Sequence, residues 1–134
     1  MSDRLAEVRL RCEDHPYEVL TIGRPAVGTV PITLEASDLT CSHTAITYGD
    51  DGIPAYFAGM AADWRGWAGT RVLRTLEEDL VIAATHTGRR VELAITVRRD
   101  PYEHGWRVSL TMSLSPGETL SRAAGELEEL FADR

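Results

Sequence analysis

The tightest constraint on this chain is a pair of stretches in which apolar and polar residues alternate without a break. Val91, Leu93, Ile95 and Val97 alternate with Glu92, Ala94, Thr96 and Arg98. Trp106, Val108, Leu110, Met112 and Leu114 then alternate with Arg107, Ser109, Thr111 and Ser113. Successive residues of a strand point to opposite faces, so a period of two describes strands with one face in a core and the other in water. That habit belongs to antiparallel sheets.

The rest of the chain supplies further strands at about 4–13, 17–22, 30–36, 40–48, 69–76 and 80–86. Pro31 removes a ladder donor, which predicts an edge strand or a strand that starts there. Two segments change to the helical period. Ile53, Phe57, Met60, Ala61 and Trp64 make an apolar stripe over about 53–65, with Asp51 as a cap, Pro54 in the first turn and Gly66 as the stop. Ser115-Pro116-Gly117-Glu118 reads as a capping box opening a helix over about 116–131, with Leu120, Ala123, Ala124, Leu127, Leu130 and Phe131 buried. The expected fold is α+β: a curved antiparallel sheet of about seven to eight strands with both helices packed on it, forming a single domain over 1–134.

At 134 residues a chain that is 43% hydrophobic and 26% charged can bury a core without disulfides or metals. The net charge of −7 argues against nucleic acid and anionic membranes, which reward clustered positive charge. No apolar run approaches the ~20 residues of a membrane span, and Met-Ser-Asp-Arg-Leu-Ala-Glu is no signal peptide. A cytoplasmic location with reduced thiols follows as the expectation for Cys12 and Cys41. The sequence contains no Lys, Asn or Gln, a bias that points to a GC-rich genome.

The residues exclude more chemistry than they offer. No phosphate-binding glycine loop or nucleophile elbow is present, and without lysine a P-loop or Schiff-base mechanism is ruled out. His15, His43, His86 and His104 have no metal-ligand spacing; Cys41 and His43 are the one local hint. No catalytic residue, metal or cofactor is assigned. Glu77, Glu78 and Asp79 fall on an expected hairpin turn, where charge is normally solvated. Asp50 and Asp51 fall near a helix start, where negative charge favours the dipole. Arg98 and Arg107 lie on the wet face of their strands, with Glu92 on the same face as the expected partner for cross-strand ion pairs. The most distinctive segment is Trp64-Arg65-Gly66-Trp67-Ala68-Gly69-Thr70-Arg71, either a tight helix-to-strand connection or an aromatic and guanidinium contact surface.

The order of these landmarks carries a resemblance. The Trp-Arg-Gly-Trp segment through Arg71 is followed by Leu80-x-Ile82-x-Ala84-x-His86, a glycine hairpin, the two alternating strands and the Ser-Pro-Gly-Glu helix. Over about 53–131 this resembles a family of small uncharacterised actinobacterial proteins, and more loosely the WapI-type immunity proteins. The first brings no active site to carry over. The second implies a cytoplasmic protein that binds a toxin domain, often through an acidic surface.

The expected function is therefore a non-enzymatic protein-binding domain, an immunity-type role being one form of it. The candidate contacts are Asp50, Asp51, Glu77, Glu78 and Asp79 with Trp67, Arg71 and Tyr102, where Trp67 and Tyr102 are taken as exposed anchors. The alternatives are a small-molecule or catalytic pocket between sheet and helices, beside Trp64 or Trp106, and a structural homodimer paired through an exposed strand edge.

Overall fold

The computed structural model describes residues 5–102 and 104–132. Eight strands and two helices follow in the order β1 (Glu7–Arg11), β2 (Val19–Gly23), β3 (Thr29–Ala36), β4 (Leu39–Ile46), α1 (Ile53–Ala62), β5 (Thr70–Arg74), β6 (Leu80–His86), β7 (Val91–Arg98), β8 (Arg107–Leu114) and α2 (Glu118–Ala132). Arg4, in the expected first strand, lies outside the described residues.

The α+β architecture and its antiparallel pairing are as expected, but the strands divide into two four-stranded sheets rather than one. Hydrogen bonding runs β1-β2-β3-β4 in the first and β5-β6-β7-β8 in the second. The break comes where α1 and its flanking turns, with positive φ at Gly49, Gly52, Gly66 and Gly69, lead the chain away between β4 and β5. The sheets also meet at their other edges. There the Glu13 N–H donates to the Ser113 carbonyl at 2.6 Å and the Ser113 N–H reaches Cys12 Sγ at 3.4 Å. Both inner faces and both helices feed one apolar cluster, with Leu10, Ile32, Phe57, Ile82, Leu93 and Leu127 among its members.

Local details depart from expectation for identifiable reasons. Pro31 lies in β3, between β2 and β4. Pairing with β2 ends at Ile22–Ile32, so at Pro31 only the β4 side remains, opposite Thr44; the strand is locally an edge, where a missing N–H is tolerated. Helix α1 stops at Ala62 with Asp63 as its cap, not at Gly66, which leaves Trp64 beyond the buried stripe and 46% exposed. Its N-cap is Gly52 in the left-handed region, with no side-chain cap from Asp51. Helix α2 opens at Glu118, where the Ser121 N–H bonds the Gly117 carbonyl at 3.2 Å. Gly117 thus flanks the first turn, and the Ser115 hydroxyl instead takes a 3.5 Å bond from Arg90 Nη1.

Candidate functional site

The turn between β5 and β6 shows how local sequence places charge. Thr75 closes it on itself: its N–H bonds the Leu80 carbonyl, its carbonyl takes the Glu78 N–H, and its hydroxyl accepts the Leu80 N–H. Glu78 turns the corner at φ 53. This folds Asp79 inward, where it is 1% exposed rather than solvated. Its Oδ1 accepts from the Thr75 hydroxyl at 2.7 Å, while Oδ2 accepts from the Ile46 N–H at 3.0 Å and meets His43 Nε2 at 2.9 Å. Trp106 stands edge-on to His43 with ring centroids 5.2 Å apart. Asp79 therefore joins β4 of the first sheet to the turn of the second.

Three of the four other expected acidic contacts have structural partners of their own. Asp51 Oδ2 accepts from Tyr48 N–H and Leu76 N–H, at 3.2 and 2.8 Å. Asp50 Oδ1 accepts from the Gly52 N–H at 2.7 Å. Glu78 Oε1 lies within 3.4 Å of both Arg74 Nη1 and Arg98 Nη2. Glu77 is exposed. Tyr102 is 76% exposed, as expected, on the β7–β8 loop. Its N–H bonds Asp100; although burial opposes it, that bond and Arg99 hold the Asp100 carboxyl below its ordinary range. The pairing of β6 with β7 carries the β5–β6 turn and the β7–β8 loop to one end of the second sheet, through the Arg98 N–H to Asp79 carbonyl bond of 2.9 Å. Asp51 reaches the same end by its bond to Leu76.

Trp67 and Arg71 lie at the opposite end. Trp67 is partly buried against the core, not an exposed anchor. The Arg71 guanidinium lies over its ring, 4.6 Å from the centroid, and His86 stands edge-on at 5.2 Å. Arg71 also pairs with Asp63 at 2.6 Å and bonds the Gly59 carbonyl at 3.3 Å. The Gly88 N–H donates to His86 Nδ1 and Nε2 bonds the Trp64 carbonyl, which fixes the ring as the Nε2–H tautomer. Tyr56 donates to the Arg71 carbonyl at 2.9 Å, and burial raises its phenol well above the ordinary range against the opposing Arg71 charge. This ladder clamps α1 to β5. Arg71→Ala removes the ring contact, a partly exposed ion pair and a carbonyl bond, for an expected loss of about 1–2 kcal/mol. Urea unfolding followed by tryptophan fluorescence measures it, and a loss below about 0.5 kcal/mol would show the ladder to be inert.

The inward-facing Cys41 and His43 sit two residues apart on β4, with Asp79 behind the histidine. No hydrogen bond joins thiol to ring among the described residues, and burial raises the Cys41 thiol, so it is not an activated thiolate. Among the described residues no group of three His, Cys, Asp or Glu is placed to hold a metal ion, and no helix is long and apolar enough to cross a membrane. Cavities of about 430, 330 and 180 Å³ are lined respectively by Arg9, Arg11 and Arg122 with their neighbours, by α1 and the end of α2, and by Arg74, Arg98 and Arg107. Trp64 and Trp106 line none of these.

The feature that residue pattern alone does not reveal is the outer face of the second sheet. Its two middle rows are Val72–Ala83–Ala94–Thr111 and Arg74–Val81–Thr96–Ser109. Short aliphatic and hydroxyl side chains fill seven of those eight positions, and all are exposed or half-buried. Glu92 falls opposite Thr85 and Ser113, so it does not make the expected cross-strand pair with Arg98 or Arg107. Instead Arg98 lies directly opposite Arg107. The alternation announces a wet face; only the strand register shows that its centre is uncharged and that two arginines confront each other.

Residues 11–134 match a protein family described as "Family of unknown function (DUF6228)". No curated protein matches the chain. No solved structure matches it.

Proposed function

We propose that the chain, which belongs to that family, is a non-catalytic protein-binding domain whose contact surface is the outer face of its second sheet. The observation that carries this is the small, uncharged and uncovered centre of that face around Val72, Ala83 and Ala94. A solvated sheet face ordinarily carries charged or long polar side chains. Short side chains such as Ala and Thr lose little rotamer entropy when covered, which favours docking. Four strands at ~4.8 Å spacing and about four residues deep present roughly 200–300 Å². A stable contact covers about 800 Å² per partner, so the partner also reaches the loops at the end of the sheet. Exposed Tyr102 and Leu76 stand there, at 76% and 57%.

Protein binding is thus centred on the sheet rather than on the acidic residues. An immunity-type role, in which the domain masks a toxin, is one form of it; the resemblance over 53–131 supports that form. The absence of Lys, Asn and Gln supports an actinobacterial source.

Ala94→Arg places a long charge at the centre of the face, while Ala58→Arg places one on the exposed side of α1. A partner recovered from the source organism and then purified should bind the Ala94→Arg protein at least tenfold more weakly and the Ala58→Arg protein unchanged. Equal binding by Ala94→Arg and the original protein would end this reading. Sedimentation of the protein alone distinguishes a second copy of the chain from a different partner.

A further inference from the structure

We infer that Arg74, Arg98 and Arg107 form a carboxylate-accepting subsite for an acidic segment of the partner, at the end of this face; the inference rests on the sheet-docking reading above. Three arginines line one cavity of about 180 Å³, with Val81 and Thr96 completing its wall and no acidic residue in the lining. They come from three different strands: Arg74 from β5, Arg98 from β7 and Arg107 from β8. Arg98 and Arg107 are cross-strand neighbours. Like charges placed so oppose each other, in a protein whose net charge of −7 leaves carboxylates plentiful elsewhere.

The chain neutralises this cluster only in part. Glu78 Oε1 is shared between Arg74 Nη1 at 3.4 Å and Arg98 Nη2 at 3.3 Å. The Arg107 side chain has no ion-pair or hydrogen-bond partner among the described residues. One carboxylate thus serves two of three arginines, and a guanidinium with five donors retains several for a second acceptor. Glu78 also shows the chemistry the cluster accepts, since its carboxylate is already seated between two of the guanidinium groups. Arg98 is held in place from within the chain, because its side chain is only 16% exposed and its Nε donates to the Glu78 carbonyl at 2.7 Å.

The surroundings select the ligand. A cavity of about 180 Å³ is below the roughly 300–1,000 Å³ of small-molecule and nucleotide pockets, and it suits one or two side-chain carboxylates. It lies beside the uncharged Val72–Ala83–Ala94–Thr111 row, over which a peptide backbone can continue. Planar forked pairing between Arg and carboxylate supplies the specificity.

The test uses the whole protein and a fluorescein-labelled hexaglutamate peptide, with anisotropy read at low ionic strength. The expected results are binding by the original protein, at least a tenfold loss in the Arg74→Ala/Arg107→Ala double variant, and no loss in Arg9→Ala/Arg122→Ala. Glu78→Gln, which removes the internal competitor, should tighten binding severalfold, a direction that a merely structural role for these arginines does not produce. Absence of peptide binding at millimolar protein, or an equal loss in the Arg9→Ala/Arg122→Ala control, would overturn the subsite. Competition by inorganic phosphate as strong as by the peptide would also overturn it, as a small-anion site. The two readings fail separately. If the face is wrong, partner binding survives Ala94→Arg while the peptide still binds; if the subsite is wrong, Ala94→Arg abolishes partner binding while the arginine double variant retains it.

Discussion

Replacing Asp79 with alanine is expected to destabilise the fold by about 3–5 kcal/mol. The carboxylate is 1% exposed and serves three groups: the Thr75 hydroxyl, the Ile46 N–H and His43 Nε2. A buried donor left without an acceptor costs about 1–3 kcal/mol, and Asp79→Ala strands the Ile46 N–H and loosens the other two together. Asp79→Asn should cost less, about 1–2 kcal/mol. Its carbonyl oxygen can still receive Ile46 and His43, and its amide can donate to the Thr75 hydroxyl, which is able to reverse its role. Urea unfolding of the three proteins gives the comparison directly. A loss below about 1 kcal/mol for Asp79→Ala, or an equal loss for the two variants, would mean that the joint between the sheets lies elsewhere.

Phe57→Ala is the second large effect, expected at about 3–5 kcal/mol. Phe57 is fully buried on α1 between Ile53 and Met60, and its ring meets Tyr56 edge-on at 5.3 Å. A helix of 10 residues has little stability of its own in water, so α1 exists because its apolar side is covered. Losing the ring leaves a cavity that the rigid sheets can fill only in part. Because α1 also carries Tyr56 and the Gly59 carbonyl, both bonded to Arg71, its loosening should spread to the Trp67 ladder. Hydrogen exchange should accelerate over 53–71 before it does over β6 and β7. Uniform acceleration across the chain would show that α1 is not a separately held element.

Much of the fold is written in local pattern. Val91 to Val97 and Val108 to Leu114 can be placed face by face from alternation alone, and the helix stripes identify Phe57, Met60, Leu127 and Phe131 as buried. What pattern does not carry is pairing between distant segments. That β4 and β5 do not hydrogen-bond depends on the path taken through α1, which no single residue announces. Asp79 has the local sequence of a solvated turn residue because its three partners lie four, 33 and 36 positions away. Pro31 marks an edge by its chemistry, and it does occupy a locally unpaired side, although within an interior strand.

The candidate surface is legible in its components and not in its arrangement. Arg98 and Arg107 are both on the wet face by parity, yet only the register sets them opposite each other and moves Glu92 away to Ser113. Trp67 is an anchor by residue type; the fold covers it with Arg71 and His86. The face around Ala94 gives no signal in one dimension because alanine and threonine carry no chemistry of their own. Their significance lies in four strands placing them side by side.

Each sheet is a meander in which every strand pairs with its immediate successor, so the first can form before the second has been synthesised. A nascent chain that has emerged only as far as Ile46 already holds all four strands of the first sheet. The inner face bearing Leu10, Leu20, Ile22, Ile32 and Leu34 is then without the helices and strands that cover it in the finished molecule. The interval between translation of β4 and arrival of α2 is consequently when this protein presents its stickiest surface, and when holding by the ribosome or a chaperone would matter most to its yield.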